Sequence, residues 1–302
     1  MSFLEPAFMQ RALLAALFVG LAAPAVGIYL VQRRMALMGD GMGHVALTGV
    51  ALGLLMGTAP VLTAVVVASL GAIAVELVRA RGRANGDTAL AMLFYGGIAG
   101  GVLLIGLSDR AGNANLMSYL FGSLTSVSPG DVAVIVGLAV GVLAVTLGLR
   151  RQLFAVCQDE EFARVCGLPV RWLNLLLAIT AAVTVTVAMR VVGLLLVSAL
   201  MVVPVATAQQ LTRGFRATMA LALLIGTLVS VSGVTVSYYA NVASGATIVV
   251  LAIGVFALSM LAGWARSLLT GVRAPAVTGF GEAEDDVAVA GQADGSRSAT
   301  VG

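Results

Sequence analysis

Apolar residues dominate this chain in long unbroken runs, separated by short clusters of arginine, acid and glycine. The runs cover about residues 8–31, 43–57, 59–79, 88–107, 130–149, 172–190, 191–211, 217–239 and 245–268. Most are about 20 residues long, the length a helix needs to cross about 30 Å of hydrocarbon. Barrel strands would alternate apolar and polar residues over about 10 positions, a pattern not found here. The run 43–57 is short for a crossing, and 172–190 abuts 191–211 at Met189-Arg190. The pattern therefore predicts an all-α, polytopic transmembrane helical bundle of eight or nine spans, residues 1–269, followed by a tail, 270–302.

Composition agrees with the pattern. The 302 residues are 60% hydrophobic and 10% charged, with a mean hydropathy of +1.05. A soluble domain carries about 25% charged residues, so a soluble enzyme is excluded as the main reading. The first apolar run has no basic region before it and reads as a retained span. The tail mixes Glu282, Glu284, Asp285, Asp286 and Asp294 with small residues and has too little apolar surface to order itself.

Charge orients the bundle. All 17 basic residues are arginine, and the net charge of +3 is too small and scattered to suggest nucleic acid. If loop 150–171 is cytoplasmic, fourteen arginines fall inside and three, Arg11, Arg110 and Arg190, fall outside. That is the bias expected of a multi-pass protein of the cell membrane. Cys157 and Cys166 share the inner loop, where thiols stay reduced, and read as small apolar residues.

Glycines recur at helical spacing: Gly49, Gly53 and Gly57; Gly96 with Gly100; Gly97 with Gly101; Gly137 with Gly141. Such repeats let neighbouring backbones approach closely in lipid. External loop 108–130 carries Leu116, Tyr119, Leu120 and Phe121, which suggest a short helix at the membrane surface.

Three features could carry chemistry. Asp40 stands four residues before His44, the single histidine, so a helix puts both on one face. A carboxylate and an imidazole are half of a site for a borderline cation, and two copies across a dimer axis would supply four ligands. The same pair could instead cap the start of a helix. The second feature is Asp159-Glu160-Glu161-Phe162-Ala163-Arg164, closed by Gly167 and Pro169. Acids crowd its first turn and Phe162, Val165 and Cys166 form a small apolar face. So short a helix is marginal alone, and its order is expected to come from a docked partner or the bilayer. The third is Pro204, expected to kink its span.

Four stretches carry a family likeness. They are Arg33-Arg34-Met35 leading to Gly39-Asp40 and His44; Asp159 to Gly167; Gly193 to Ala208 with Pro204-Val205-Ala206-Thr207-Ala208; and Ser244-Gly245-Ala246-Thr247-Ile248-Val249. In order and spacing the chain resembles the integral-membrane permease subunit of bacterial metal-ion ABC transporters. This is the zinc, manganese and iron uptake group that includes the ZnuB-type permeases. Ala243 stands where the family usually has proline, and the acidic tail lies outside the family pattern.

The resemblance implies a BtuC-like importer permease architecture. It implies a second copy of the chain, a separate ABC ATPase subunit on the cytoplasmic side, and an extracellular metal-binding protein that delivers the ion. It casts Asp159, Glu160, Glu161, Phe162, Ala163, Arg164 and Gly167 as the ATPase-coupling helix, and Asp40 and His44 as lining the metal path. No cofactor is implied beyond the transported ion, with Zn²⁺ the first expectation and manganese and ferrous iron open. No Walker motif is present, so ATP hydrolysis is assigned to the separate subunit and the chain is not itself an enzyme. The rivals are a permease for an iron chelate or cobalamin, which would not need Asp40 and His44, and an ion-coupled secondary transporter. The latter usually keeps several buried acids, whereas only Asp40 and Glu76 lie within or beside the spans here. An intramembrane protease lacks its motifs.

Overall fold

The computed structural model describes residues 7–81, 86–107, 119–122 and 128–270. Eleven helices of six residues or more account for most of them, with no strand among the described residues. In chain order they are α1 (Ala7–Gln32), α2 (Met38–Leu55), α3 (Pro60–Ala80), α4 (Gly86–Gly106) and α5 (Pro129–Gly148). There follow α6 (Arg150–Gln158), α7 (Glu160–Val165), α8 (Val170–Val192), α9 (Leu194–Leu211), α10 (Phe215–Ala240) and α11 (Ser244–Thr270). Seven are long and apolar enough to span, and the apolar parts of α4 and α9, Leu90–Gly106 and Leu196–Leu211, are somewhat shorter. These nine correspond to the nine apolar runs.

Three boundaries differ from the sequence expectation. α2 begins at Met38, five residues before the apolar run, because Gly39, Gly41 and Gly43 tolerate a helix wedged between neighbours. α8 and α9 part at Gly193 (φ +88), not at Arg190. The stretch after α5 is not simply loop: α6 is an amphipathic helix that buries Leu153 and Val156. Its Arg150-Arg151 start disguises it as a loop.

α1 and α8 form the centre of the first compact unit, which runs to Ala257. Neighbouring helices approach α1 closely because alanine and glycine fill much of its buried surface. A Cβ on Gly27 would lie 1.9 Å from the Met201 carbonyl oxygen of α9. A Cβ on Gly226 of α10 would lie 2.6 Å from the Gly20 carbonyl oxygen and 2.5 Å from Pro24 Cγ, so Pro24 lies inside α1 and α10 closes over it. In lipid, association rests on such close van der Waals packing, since tails are as apolar as leucine. Tyr29, fully buried, donates from its hydroxyl to the Thr146 carbonyl of α5 at 2.8 Å.

The repeated glycines divide. Gly49 and Gly53 meet the backbone of Ala64 and Pro60, so that pair packs α2 on α3. Gly57 does not share their role: it is a turn residue at φ +64 with open space around it. Gly97, Gly100 and Gly101 pack α4 on α2, whereas Gly96, Gly137 and Gly141 touch nothing within 4 Å. Spacing alone does not say which face meets a neighbour.

The remainder of α11, Leu258–Thr270, belongs to the second unit and exposes Leu258, Met260, Leu261 and Trp264. The acidic tail, 271–302, lies outside the described residues, as does Leu116 of segment 108–130.

Candidate functional site

Asp40 sits in the first turn of α2 and His44 one turn later, so the i, i+4 spacing is realised on a helix. Neighbours crowd that helix from two sides. Gly39 faces Met201 and Ser198 of α9, and Gly43 faces Leu194 of α9 and Val185 of α8. Gly41 faces Leu90 and Leu93 of α4. The Asp40–His44 face lies between these contacts and both residues are half-buried.

α4 fixes the imidazole. A Cβ on Gly97 would lie 2.7 Å from Val45 N and 3.1 Å from His44 Cβ, so glycine alone lets α4 press on the His44 backbone. Thr48 locks the contact, donating to the Gly97 carbonyl at 2.8 Å. Phe94 of α4 meets the His44 ring edge-on, with centroids 4.6 Å apart. His44 Nδ1 is buried and has no hydrogen-bond partner among the described residues. A buried ring nitrogen without a partner is uncommon and costly. Among the described residues no three metal-binding side chains cluster within this one chain. Asp40 does not cap the helix, whose N-cap residue is Leu37 with no side-chain hydrogen bond.

The second sequence-predicted segment is a real helix, but its order comes largely from its own chain. Asp159 is the N-cap, its carboxylate accepting from the amides of Glu161 and Phe162, each at 2.9 Å. Gly167 at φ +78 ends the helix, and Ala163 is fully buried beneath it. Glu160 turns inward. Its carboxylate accepts from Arg33 just past α1, from Arg79 of α3 at 3.2 Å, and from Asn174 of α8 at 2.8 Å. Arg33 also donates to Asn174 Oδ1 at 2.9 Å, and Arg79 forks onto Glu76 at 3.1 and 3.0 Å. Two arginines and two carboxylates thus form a neutral cluster that pins α7 to three spans. Burial alone would raise the Glu160 carboxyl pKa, but the Asn174 hydrogen bond and the two guanidinium charges lower it below the ordinary value. Cys157, close by, is pushed up to about 11 by burial, so it stays a thiol.

The capping carboxylate and the charge cluster hold this short helix from within the chain. The outer face is left free for contact. Phe162 is 64% exposed and Val165 86%, with Glu161 and Cys166 also exposed. Sequence reasoning missed the partners of Glu160. Glu76 and Arg79, three apart on α3, are a visible pair, but the Arg33–Glu160 contact joins residues 127 positions apart and leaves no local signal.

At the opposite ends of the spans, several elements converge on the α8–α9 junction. A Cβ on Gly193 would lie 2.5 Å from the Leu120 carbonyl oxygen, and one on Gly245 would lie 1.7 Å from the Val192 carbonyl oxygen. Ser244 donates to the Val191 carbonyl at 3.0 Å. Tyr119, expected at the membrane surface, is instead buried here under the Arg190 guanidinium, 4.9 Å from its ring centroid. Arg190 in turn pairs with Asp131, which also closes a reciprocal cap with Ser128 at the start of α5. Pro204 lies inside α9, and the helix continues through it to Leu211 despite the hydrogen bond that proline removes.

Known proteins resemble this chain in sequence and in fold. The chain is 32% identical over 267 residues to the manganese transport system membrane protein MntC of Halalkalibacterium halodurans, covering 88% of this chain and 91% of that one. It is 30% identical over 254 residues to the chelated iron transport system membrane protein YfeD of Yersinia pestis, covering 84% and 85%. Among solved structures, PsaBC from Streptococcus pneumoniae in complex with Fab superposes with a TM-score of 0.76 at 31% identity, covering 84% of this chain and 91% of that one. Residues 5–263, nearly all of the apolar part of the sequence, match the model of the ABC 3 transport family, and the chain belongs to that family of multi-pass membrane permeases.

Proposed function

We propose that the chain is the membrane-spanning subunit of an ATP-driven importer for a divalent transition metal, with Asp40 and His44 as ligands on the path. One observation carries this reading. A carboxylate and an imidazole share a half-open face of α2, and the imidazole has a buried nitrogen with no partner. Two ligands hold a metal weakly, and a two-fold axis against a second copy would double them. A transporter must release its cargo, so a site completed only across an interface suits transport better than a closed four-ligand cage.

One oxygen and one nitrogen donor per chain, with no thiolate, accommodate manganese as well as zinc. The names of the relatives favour manganese, so manganese is the first reading and zinc the second, a reversal of the order reached from sequence. On this reading the exposed face of α7, with Phe162 and Val165, receives the ATPase subunit below the membrane, loop 150–171 is cytoplasmic, and an external binding protein delivers the ion. Residues 1–269 form the permease and 270–302 an acidic cytoplasmic tail.

The test is uptake of radiolabelled manganese and zinc by cells lacking their own importers. Asp40→Asn and His44→Ala should each abolish uptake at unchanged membrane abundance. Excess manganese should compete with labelled manganese better than excess zinc does. Full uptake by the double variant would overturn the assignment of the pair.

A further inference from the structure

A cavity of about 1000 Å³ opens beside α7, between the end of α3 and the start of α8. Its wall includes the charge cluster Glu76, Arg79 and Glu160, which with Arg33 sums to zero. Two further arginines line it, Arg164 of α7 and Arg171 of α8. Both are exposed, and neither has an ion pair or hydrogen bond with a described residue. The cavity therefore carries two uncompensated positive charges. Apart from Asn174, which is engaged by Arg33 and Glu160, its remaining lining is apolar: Leu77 is 47% exposed, Trp172 is 73% exposed, and Leu175 is half-buried.

We propose that this cavity binds the headgroup of an anionic phospholipid from the leaflet on the α7 side of the membrane. Three features point to a lipid and not to a free anion. The cavity lies where two apolar helices meet their polar ends, α3 at Arg79-Ala80 and α8 at Val170-Arg171. Trp172 stands beside Arg171 on the first turn of α8, and tryptophan favours the boundary between headgroups and acyl chains. The apolar rim gives the acyl chains a surface, while basic pockets between helix ends recognise anionic headgroups. The phosphate diester would sit between the two guanidinium groups, each able to donate a forked pair of hydrogen bonds. The acids in the wall do not repel it, because Arg33 and Arg79 already neutralise them. The inference is independent of the transported metal and goes beyond the transport reading. A lipid there would fill the space between α7 and the bundle and brace the helix that the charge cluster pins from the other side.

The experiment is native mass spectrometry of the purified full chain in detergent, given equal amounts of phosphatidylglycerol and phosphatidylcholine. One phosphatidylglycerol per chain should be retained, preferred on the order of tenfold. The double variant R164Q/R171Q should lose that preference with an unchanged melting temperature, since neither arginine has a partner to lose. The control R150Q/R151Q removes the same charge elsewhere on the same side and should keep it. Millimolar inorganic phosphate should not displace the lipid. Equal retention of the two lipids, an unchanged preference in R164Q/R171Q, an equal loss in the control, or displacement by phosphate would each overturn the proposal.

Discussion

Replacing Glu160 by glutamine removes one charge from the cluster that pins α7, and keeps the shape and one acceptor. The wild-type carboxylate accepts from Arg33, Arg79 and Asn174. Arg33 is the member that suffers, because its side chain is only 8% exposed while Glu160 is 35% exposed. Removing one partner of a fully buried pair costs about 3–5 kcal/mol, because a charge is left stranded. Water reaches Glu160, so the cost here is smaller, about 2 kcal/mol. That magnitude shifts a local opening equilibrium by roughly 30-fold. Hydrogen–deuterium exchange of the purified chain reads it directly. Amides from Phe162 to Gly167 should exchange roughly 30-fold faster in Glu160→Gln, with the spans unchanged. Glu161→Gln is the control, since that side chain is exposed and forms no ion pair with a described residue. The pH dependence has a definite sign. Glu160 has a folded pKa lowered from 4.5, so its contribution is complete above 4.5 and is lost as pH falls through the depressed value. Wild-type protection should fade more steeply at acid pH than that of Glu160→Gln, which lacks the titrating carboxylate at 160. Equal exchange in Glu160→Gln and Glu161→Gln would refute the argument.

Two further outcomes test other parts of the structure. Phe162→Asp should insert and melt normally, because the ring is 64% exposed, yet fail to bind the ATPase subunit in pull-down; normal binding would remove this face from the interface. Gly245→Ala forces a Cβ to 1.7 Å from the Val192 carbonyl oxygen and should cost about 3 kcal/mol or more through overpacking, seen as lower abundance and melting temperature. Gly96→Ala, with nothing within 4 Å, should match wild type; equal melting temperatures for the two variants would contradict the packing of α11 on the α8–α9 junction.

Sequence alone marks out the spans. Hydrocarbon thickness sets a run of about 20 apolar residues for each, and that constraint is local, so it can be read one segment at a time. It also determined the Asp40–His44 face, because i, i+4 adjacency needs only a helix. The Asp159 cap and the Gly167 stop were legible for the same reason: both act within a few residues of themselves. Tertiary structure decided the rest. Gly97 presses on His44 while Gly96 faces open space, although they are neighbours in the same apolar run. Tyr119 is buried under Arg190, although its own segment reads as amphipathic surface. Of three consecutive acids, Glu160 turns inward to arginines just past α1 and in α3, Asp159 caps, and Glu161 stays exposed. Membership of a face can be read along a helix. Which other helix that face meets depends on residues more than a hundred positions away, and only the packed bundle specifies it.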